Sequence, residues 1–510
     1  MLIVLVSAVN VAYLTINCPI DLSGDEAQYW DWSRRLDYSY YSKGPAVAFV
    51  IRAGAAVFGE TMPGVRLPAI LLFAATLAGI YSLTLVLFRS DRLALGATGL
   101  ACLSPIMIYL SAAMTIDAPM IACWTFATLF AAAALFRDRS WAWGGVSAAI
   151  GVGFLAKYSA LLWFVGLLAY FVCMRAPIRL WARGAAAAVG ALVFTTPVIV
   201  WNINHGWVGA RHVAKQTGAE EGRFSLLRPV EMLGTQVGVV GPTIAAVIIA
   251  AVVWVIRRRR VSSQSPPDKL AELFLLCIGA PFFILTWVVS FFAKVQANWP
   301  APAYITLIIL AAAFVGELRR GANWKRWRGW VYATIIIGIG AHVVMRDTSF
   351  LIPPARALGL SDKHASRLDA LAELRGWEEL GRRVGEEQVR LGPDALILCD
   401  HYQQTALMAF YVPHRPRTFH AGTYFTNAQR MNQYSLWPDM DLSRPELRGR
   451  NAIYVGKGGP LPDPLPLAFE RYEKLPEVPV QVHGVTVATF KLWRLYGFKG
   501  LHRPEEGGGF

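Results

Sequence analysis

The chain has 510 residues, of which 55% are apolar and 18 are tryptophan, and its formal net charge is +15. That apolar share, with a mean hydropathy of +0.40, exceeds what a soluble domain buries, so the composition predicts a polytopic membrane protein. The basic excess is attributed to topology and to contact with the anionic lipid bilayer, and no nucleic-acid partner is expected.

Eleven apolar runs are long enough for a helix to cross a bilayer, which takes about 17–25 residues. They are predicted at 2–18, 64–88, 93–111, 118–136, 141–156, 158–174, 184–201, 234–256, 271–293, 299–316 and 329–345. The first run has neither a basic segment ahead of it nor a small-residue cleavage site before Asp21, so it is predicted to be retained as a helix.

Lysine and arginine are concentrated in alternate connecting loops, and positive charge stays on the cytoplasmic side of a membrane. The predicted inside loops are those at 89–92, 137–139, 175–183, 257–260 and 319–328. The predicted outside segments are the first outer loop at 19–63, the links at 117, 157 and 294–298, the 202–231 loop and everything after about 346.

Hydropathy falls after Arg346, which separates a membrane domain at 1–345 from a predicted soluble α/β domain at 346–510. Within the second domain, a helix is expected at 368–389 and buried strands at 395–399 and 451–455. A strand pair is expected at 480–495 around His483 and Gly484.

Two adjacent acids, Asp25 and Glu26, lie in the first outer loop just ahead of Tyr29, Trp30 and Trp32. The pattern predicts a short interfacial helix with its aromatic residues at headgroup level, where the acids could meet a lipid phosphate or an acceptor. The structural alternative is that Ser23 or Asp25 caps a helix and the acids complement its dipole.

Other charged residues are predicted at the outer ends of spans. Asp117 stands at the start of the fourth span, where it either caps the helix or faces a polar acceptor. Lys157 interrupts two apolar runs on the side where the charge bias opposes it, which favours contact with an anion over snorkelling. Lys43 lies in a Gly-Pro turn whose backbone would fix its amine near a phosphate.

These and neighbouring polar residues form the predicted site. Catalysis is assigned to Asp25, Glu26 and Asp117, donor phosphate binding to Lys43, Lys157, Arg211 and Arg223, and substrate binding to Tyr41, Arg66, Asn202, His205 and Asn298. For Arg66 the alternative is snorkelling at a helix end, and for the 202–231 loop it is a solvated surface.

Several motifs, in their order and spacing, resemble bacterial members of the protein O-mannosyltransferase and aminoarabinose transferase superfamily. They are Gly24-Asp25-Glu26, Tyr41-Ser42-Lys43-Gly44-Pro45, Gly64-Val65-Arg66-Leu67-Pro68, Asp117-Ala118-Pro119, Lys157-Tyr158, Trp201-Asn202 and Asn298-Trp299-Pro300. The resemblance covers residues 20–305 and implies the multi-span GT-C fold. One departure is that Gly44 follows Lys43, where the family often has proline.

The resemblance also implies an inverting glycosyltransferase of the bacterial inner membrane, with its active site and C-terminal domain facing the periplasm. Its donor would be a polyprenyl-phosphate sugar, and its acceptor an envelope lipid such as lipid A, a glycan or a protein. Asp25 would take a proton from the acceptor hydroxyl, while Lys43 and Lys157 stabilise the departing polyprenyl phosphate. A flippase for lipid-linked sugars and a non-catalytic envelope assembly protein are the alternatives.

No cofactor is predicted with certainty. A divalent metal beside Asp25 and Glu26 is conceivable, but two adjacent acids need further oxygen ligands to form a site, so no metal ligand is assigned. The six cysteines are scattered and show no metal-binding spacing.

Overall fold

The computed structural model describes residues 1–217, 224–258, 266–320, 324–456 and 458–504. The chain divides into two compact units. The membrane unit consists of Met1–Ile16, Asp37–Val50 and Arg66–Met345. The second unit, called the outer unit after the side of the membrane predicted for it, consists of Asn17–Leu36, Ile51–Val65 and Arg346–Phe510. The division after Met345 falls where hydropathy drops, and two parts of the predicted first outer loop cluster with the C-terminal region.

The membrane unit is built from helices. Their bounds are Leu2–Ile16, Met62–Phe88, Asp91–Cys102, Pro105–Ala112, Asp117–Phe136, Ala142–Ala156, Trp163–Met174, Ile178–Val193, Thr196–Asn204, Val208–Gln216, Leu227–Val240, Pro242–Arg257, Pro267–Val289, Ala301–Arg320 and Trp324–Val344, with a short 3-10 helix at Tyr158–Leu162. The helices Ala46–Phe58 and Met62–Phe88 each cross a boundary between the two units.

Four helices among the described residues are long and apolar enough to cross a membrane by themselves: Met62–Phe88, Asp117–Phe136, Pro267–Val289 and Ala301–Arg320. The number rises to eight if each of four sharply bent helix pairs is one span, and shorter apolar helices accompany them. The chain is therefore a multi-pass helical membrane protein, as predicted, while the count of eleven spans is not confirmed.

Three predicted spans are broken rather than continuous. The run at 234–256 is divided into helices that meet at 109°, the run at 93–111 into helices that meet at 73°, and the run at 184–201 into helices that meet at 41°. Each break has a proline at the start of the second helix. Proline lacks a backbone N–H and disfavours a helical residue before it, so apolar composition alone overestimated the continuity of these segments.

The outer unit is a mixed α/β structure. Its helices are Gly24–Ser33, Ile352–Ala357, Asp362–Ser366, Trp377–Leu391, Tyr402–Tyr411, Gln433–Leu436 and Leu465–Ala468, with 3-10 turns at Ser349–Leu351, Ala372–Leu374, Gly422–Tyr424, Pro438–Met440 and Pro445–Leu447. Its strands are β1 (Leu396–Cys399), β2 (Thr418–His420), β3 (Ala452–Gly456), β4 (Phe469–Lys474), β5 (Val478–Val482) and β6 (Val485–Phe498).

Within the described part of the outer unit these strands form one sheet in the order β2-β1-β3-β6-β4, with β5 also paired to β6. Strands β1, β2 and β3 are parallel, and β6 is antiparallel to its neighbours. The predicted strands at 395–399 and 451–455 are confirmed, as is the strand pair that turns at His483 and Gly484. Both turn residues have positive φ, which suits a tight hairpin.

The helix predicted at 368–389 begins later than expected, at Trp377. Gly376 precedes it with φ +81°, a left-handed conformation that does not continue a helix from the preceding residues. The charge pattern therefore predicted the helix correctly and its first turns incorrectly.

Candidate active site

A buried ion pair joins two of the predicted site residues within the membrane unit. Asp117 is the first residue of the helix Asp117–Phe136, and its side chain is 1% exposed. Lys157 directly follows the neighbouring helix Ala142–Ala156, and its Nζ donates to Asp117 Oδ1 at 2.8 Å. The second carboxylate oxygen, Oδ2, accepts from the amide of Asn298. Three predicted site residues therefore form one polar cluster.

The pairing of Asp117 with Lys157 bears on the roles predicted for both residues. A carboxylate that is almost fully buried is stable in charged form only when it is paired and hydrogen-bonded, and Lys157 and Asn298 supply both interactions. The Lys157 side chain is 15% exposed, so it is not completely enclosed by protein. The predicted phosphate ligand is thus held in place by the predicted second acid.

The turn that carries Lys43 packs against the segment that carries Lys157. A Cβ added to Gly44 would lie 2.1 Å from the carbonyl oxygen of Leu155, so only glycine fits there. In the same turn the carbonyl of Lys43 accepts from the Ser39 hydroxyl at 3.3 Å. The departure from the family's proline therefore coincides with a close contact between the two segments.

A second contact reinforces the packing of this turn. The hydroxyl groups of Ser39 and Tyr158 are hydrogen-bonded at 3.1 Å, and Tyr158 is the residue after Lys157. The structure therefore brings the segments of both predicted phosphate-binding lysines together. Lys43 itself is half-buried.

The two predicted acids of the first outer loop lie on the helix Gly24–Ser33, which we call the acidic helix. Ser23 caps it: the Ser23 Oγ accepts from the backbone N–H of Glu26, and the Ser23 N–H donates to Glu26 Oε2 at 2.9 Å. Glu26 is fully buried in this reciprocal capping box. The capping alternative therefore accounts for Glu26, whose catalytic assignment stays a prediction that the geometry disfavours.

Asp25, next to this cap, is half-buried and has a partner that sequence reasoning missed. The side-chain amide of Gln403 donates to Asp25 Oδ1 at 2.8 Å. Gln403 lies on the helix Tyr402–Tyr411, which we call the docking helix and which packs along the acidic helix within the outer unit.

The predicted headgroup position of the aromatic residues is wrong. Tyr29 is 5% exposed, and Trp30 and Trp32 are fully buried. Trp30 meets Phe410 of the docking helix edge to face, with ring centroids 4.8 Å apart. The acidic helix thus packs its aromatic residues into protein.

A buried acid on the same helix, Asp31, was not among the predicted site residues. Asp31 accepts from the hydroxyl of Tyr434 at 2.9 Å and pairs with Arg34 at 3.3 Å. Burial raises the pKa of Asp31, opposed by the charge of Arg34 and the hydrogen bond from Tyr434. These contacts tie the far end of the acidic helix into the outer unit.

The predicted substrate-binding residues of the membrane unit have structural contacts of their own. The amide of Asn202 donates to the Val198 carbonyl at 2.9 Å, and its oxygen accepts from the Ala210 N–H at 3.1 Å. The ring of His205 stacks on Trp201, with centroids 4.0 Å apart. Asn202 therefore links the helices Thr196–Asn204 and Val208–Gln216, and substrate binding by Asn202 and His205 stays a prediction.

Tyr41 and the predicted arginines are placed differently. Tyr41 is buried and its ring lies 5.0 Å from that of His212. Arg66 is also buried, at 3% exposure, within the helix Met62–Phe88. Arg211 is exposed and donates to the Gly206 carbonyl, whereas Arg223 lies outside the described residues.

The described residues contain no group of three or more His, Cys, Asp or Glu side chains that could hold a metal ion. In this part of the chain Asp25 and Glu26 also diverge, since Glu26 is turned into its capping box while Asp25 meets Gln403. The conceivable metal site beside these two acids therefore gains no further ligand among the described residues.

Comparison with known proteins places this geometry in a family context. Residues 42–201 match the family described as dolichyl-phosphate-mannose-protein mannosyltransferase. The lipid A galacturonosyltransferase RgtD of Rhizobium johnstonii is 30% identical over 304 residues, which are 57% of this chain and 60% of that protein.

A second curated relative belongs to the aminoarabinose branch. The undecaprenyl phosphate-alpha-4-amino-4-deoxy-L-arabinose arabinosyl transferase of Pectobacterium carotovorum is 27% identical over 356 residues, which are 64% of this chain and 60% of that protein. The chain thus spans less than two thirds of the length of either curated relative.

Solved structures show the same fold over almost the whole chain. The apo crystal structure of ArnT from Cupriavidus metallidurans matches with a TM-score of 0.62 at 14% identity, and its complex with undecaprenyl phosphate with a TM-score of 0.60 at 16% identity. Each match covers 97% of both chains. The resemblance predicted from the motifs is therefore confirmed: the chain has the ArnT-like GT-C fold and is similar to the glycosyltransferases of the protein O-mannosyltransferase and aminoarabinose transferase superfamily.

Proposed function

We propose that this protein is an inverting glycosyltransferase that moves a sugar from a polyprenyl-phosphate carrier to a cell-envelope acceptor. The donor class is supported by the undecaprenyl phosphate in the name of the arabinosyl transferase and in the ArnT complex. The acceptor class is supported by RgtD, whose name is that of a lipid A galacturonosyltransferase, so a lipid A-type acceptor is preferred over a glycan or a protein.

The observation that carries the proposal is the buried cluster of Asp117, Lys157 and Asn298. Ionisable groups in a membrane-spanning unit are expensive to bury and are functional candidates by default. Here the acid uses both of its oxygens, one on Lys157 and one on Asn298, which fixes the ammonium group instead of leaving it to snorkel. A fixed ammonium group is suited to stabilise the charge that develops on a leaving phosphate.

The proposed reaction is a single displacement. An acceptor hydroxyl oxygen bonds to the anomeric carbon, the bond from that carbon to the phosphate oxygen breaks, and the bonding electrons leave with the polyprenyl phosphate. Asp25 takes the hydroxyl proton, and Lys43 and Lys157 stabilise the phosphate. The anomeric centre inverts because no enzyme-bound sugar intervenes. The leaving phosphate needs no protonation, so a dedicated general acid is unnecessary, unlike in glycoside hydrolysis.

In this scheme the remaining predicted residues support the reacting groups. Asp117 orients Lys157, and Glu26 caps the acidic helix beside Asp25. The distribution of Lys and Arg between loops supports an orientation in which these groups face the periplasmic side of the inner membrane.

A second candidate function is transport of a lipid-linked sugar. Its supporting observation is the set of sharply bent helix pairs, above all the 109° bend at Gly241, because discontinuous helices often line transporter sites. Movement of the lipid-linked sugar across reconstituted vesicles without any transfer would favour this candidate over the transferase.

The test is transfer of radiolabelled sugar from a membrane extract of polyprenyl-phosphate sugars to lipid A by the purified protein. We expect transfer by the wild type and its loss in Asp25→Asn and Lys43→Ala. Asp394→Asn and Lys363→Ala are matched controls, because both residues are exposed in the outer unit. Absence of transfer by the wild type across a broad donor and acceptor pool would contradict the proposal. Full activity in Asp25→Asn would refute the assignment of Asp25 as the base.

A further inference from the structure

The acidic helix and the docking helix approach each other unusually closely. A Cβ added to Gly24 would lie 2.4 Å from the Cβ of Gln403, so the contact requires glycine at the start of the acidic helix. At the other end of the docking helix, the hydroxyl of Tyr411 accepts from the Leu22 N–H at 2.7 Å. The docking helix therefore fixes the segment from Leu22 to Gly24, which leads directly into Asp25.

The backbone of Gln403 is itself anchored. Gln403 is the second residue of the docking helix, and its backbone N–H donates to the Nδ1 of His401, the residue that caps this helix. From this fixed position its amide donates to Asp25 Oδ1 at 2.8 Å. One oxygen of the carboxylate is thus engaged, and we assign the other, Oδ2, as the oxygen that accepts the proton of the acceptor hydroxyl.

The neighbouring Tyr402 is, like Asp25, half-buried. Burial raises the pKa of the Tyr402 phenol, and the negative charge of Asp25 adds to the effect. The phenol stays neutral and does not compete with Asp25 as a base at neutral pH. Gln403, by contrast, contacts the proposed base through its side-chain amide.

We infer that Gln403 is a positioning residue for Asp25, and that the docking helix of the outer unit serves catalysis by aiming this carboxylate. This inference rests on the proposed function, because it assumes that Asp25 is the base. The hydrogen bond restrains rotation of the carboxylate, so that Oδ2 keeps one orientation for the incoming hydroxyl. Its chemical role is orientation, since an amide neither gives nor takes the proton.

The experiment compares Gln403→Leu and Gln403→Glu with the wild type in the sugar-transfer assay. A misplaced base lowers the rate by about 10- to 100-fold, and we expect that loss in kcat for Gln403→Leu while the KM for the polyprenyl-phosphate sugar stays unchanged. Gln403→Glu is nearly isosteric. Its kcat relative to the wild type should fall at neutral pH and recover as pH is lowered, because a protonated carboxyl group can again donate a hydrogen bond.

Gln388→Leu is the matched control. The amide of Gln388 also donates one hydrogen bond in the outer unit, at 2.9 Å, but to the carbonyl of Ala395. It should show wild-type kcat. Thermal unfolding of all variants separates a loss of orientation from a loss of folded protein.

The outcomes are distinct. Absence of transfer by the wild type would overturn the proposed function and this inference with it. Transfer by the wild type with unchanged kcat in Gln403→Leu would overturn the inference alone. An equal loss of kcat in Gln403→Leu and Gln388→Leu would assign Gln403 a merely structural role and would also overturn the inference. So would a loss of kcat in Gln403→Glu that does not depend on pH.

Discussion

Replacement of Lys157 by methionine tests the buried cluster most directly. Lys157→Met keeps the length of the side chain but leaves the Asp117 carboxylate, which is 1% exposed, with Asn298 as its remaining partner. Removing one member of a buried ion pair destabilises a protein by about 3–5 kcal/mol. Because Lys157 is 15% exposed and water can partly solvate the vacated position, we expect the lower end of this range.

The double variant Lys157→Met/Asp117→Asn should recover most of that stability. It removes both charges together, and the new amide at position 117 can still accept from Asn298. Removing both charges avoids the cost of an unpaired buried charge, which is what makes the loss of one partner strongly destabilising. A double-mutant cycle on the unfolding midpoint in detergent, completed with Asp117→Asn, isolates the coupling between the two residues.

Transfer activity separates the two roles of Lys157. If its ammonium group stabilises the leaving phosphate, transfer stays lost in the double variant even though stability returns. If transfer returned together with stability, Lys157 would be only a counter-ion for Asp117, and its assignment to the phosphate would be refuted. An unfolding midpoint for Lys157→Met equal to that of the wild type would refute the energetic reasoning itself.

Three further predictions follow from close contacts, burial and protonation. Gly44→Ala should abolish transfer by displacing the Lys43 turn, whereas Gly96→Ala, where an added Cβ meets nothing within 4 Å, should leave transfer unchanged. Trp30→Ala should destabilise the outer unit by about 3–5 kcal/mol, measured by thermal unfolding against Trp141→Ala at a site that is 66% exposed. Burial lowers the pKa of His420 from 6.5 to about 4. Between these pH values the unfolded chain binds a proton that the folded protein does not, so the free energy of unfolding should fall as pH drops from about 6.5 to 4. His420→Asn should weaken that pH dependence when unfolding is measured across this range.

Local patterns predicted part of the outer unit, but not β2, β4 or the docking helix. The strands β1 and β3 and the hairpin at His483 and Gly484 follow from short apolar runs and from residues that tolerate positive φ. Hydropathy failed at three spans that break just before a proline, although the helices that contain Pro68 and Pro281 are continuous. Apolar runs look continuous in hydropathy, but Gly241 takes φ +95° and the following proline cannot continue the incoming helix, so the chain turns by 109°.

The aromatic residues of the acidic helix illustrate a different difficulty. Tryptophan and tyrosine at a span end suit both a membrane interface and a protein interior, because both environments accept a large ring with one polar atom. What decides the outcome for Trp30 is Phe410, a residue far away along the chain. No periodicity within the first outer loop contains that information.

In the candidate site, too, individual residues were predicted from the sequence but their distant partners were not. The sequence identified Asp25, Asp117, Lys157 and Asn298 one by one, because a charged or amide group at the end of an apolar run is conspicuous. It did not identify their partners: Lys157 reaches Asp117 across 40 positions, Asn298 across 181, and Gln403 reaches Asp25 across 378. These pairings bear on the proposed roles, because Lys157 is bonded to a buried acid and the Gln403 amide occupies one oxygen of Asp25. Residue type therefore predicts which side chains are candidates for the site. Long-range packing determines which of them orient a neighbouring side chain and which are left to contact substrate.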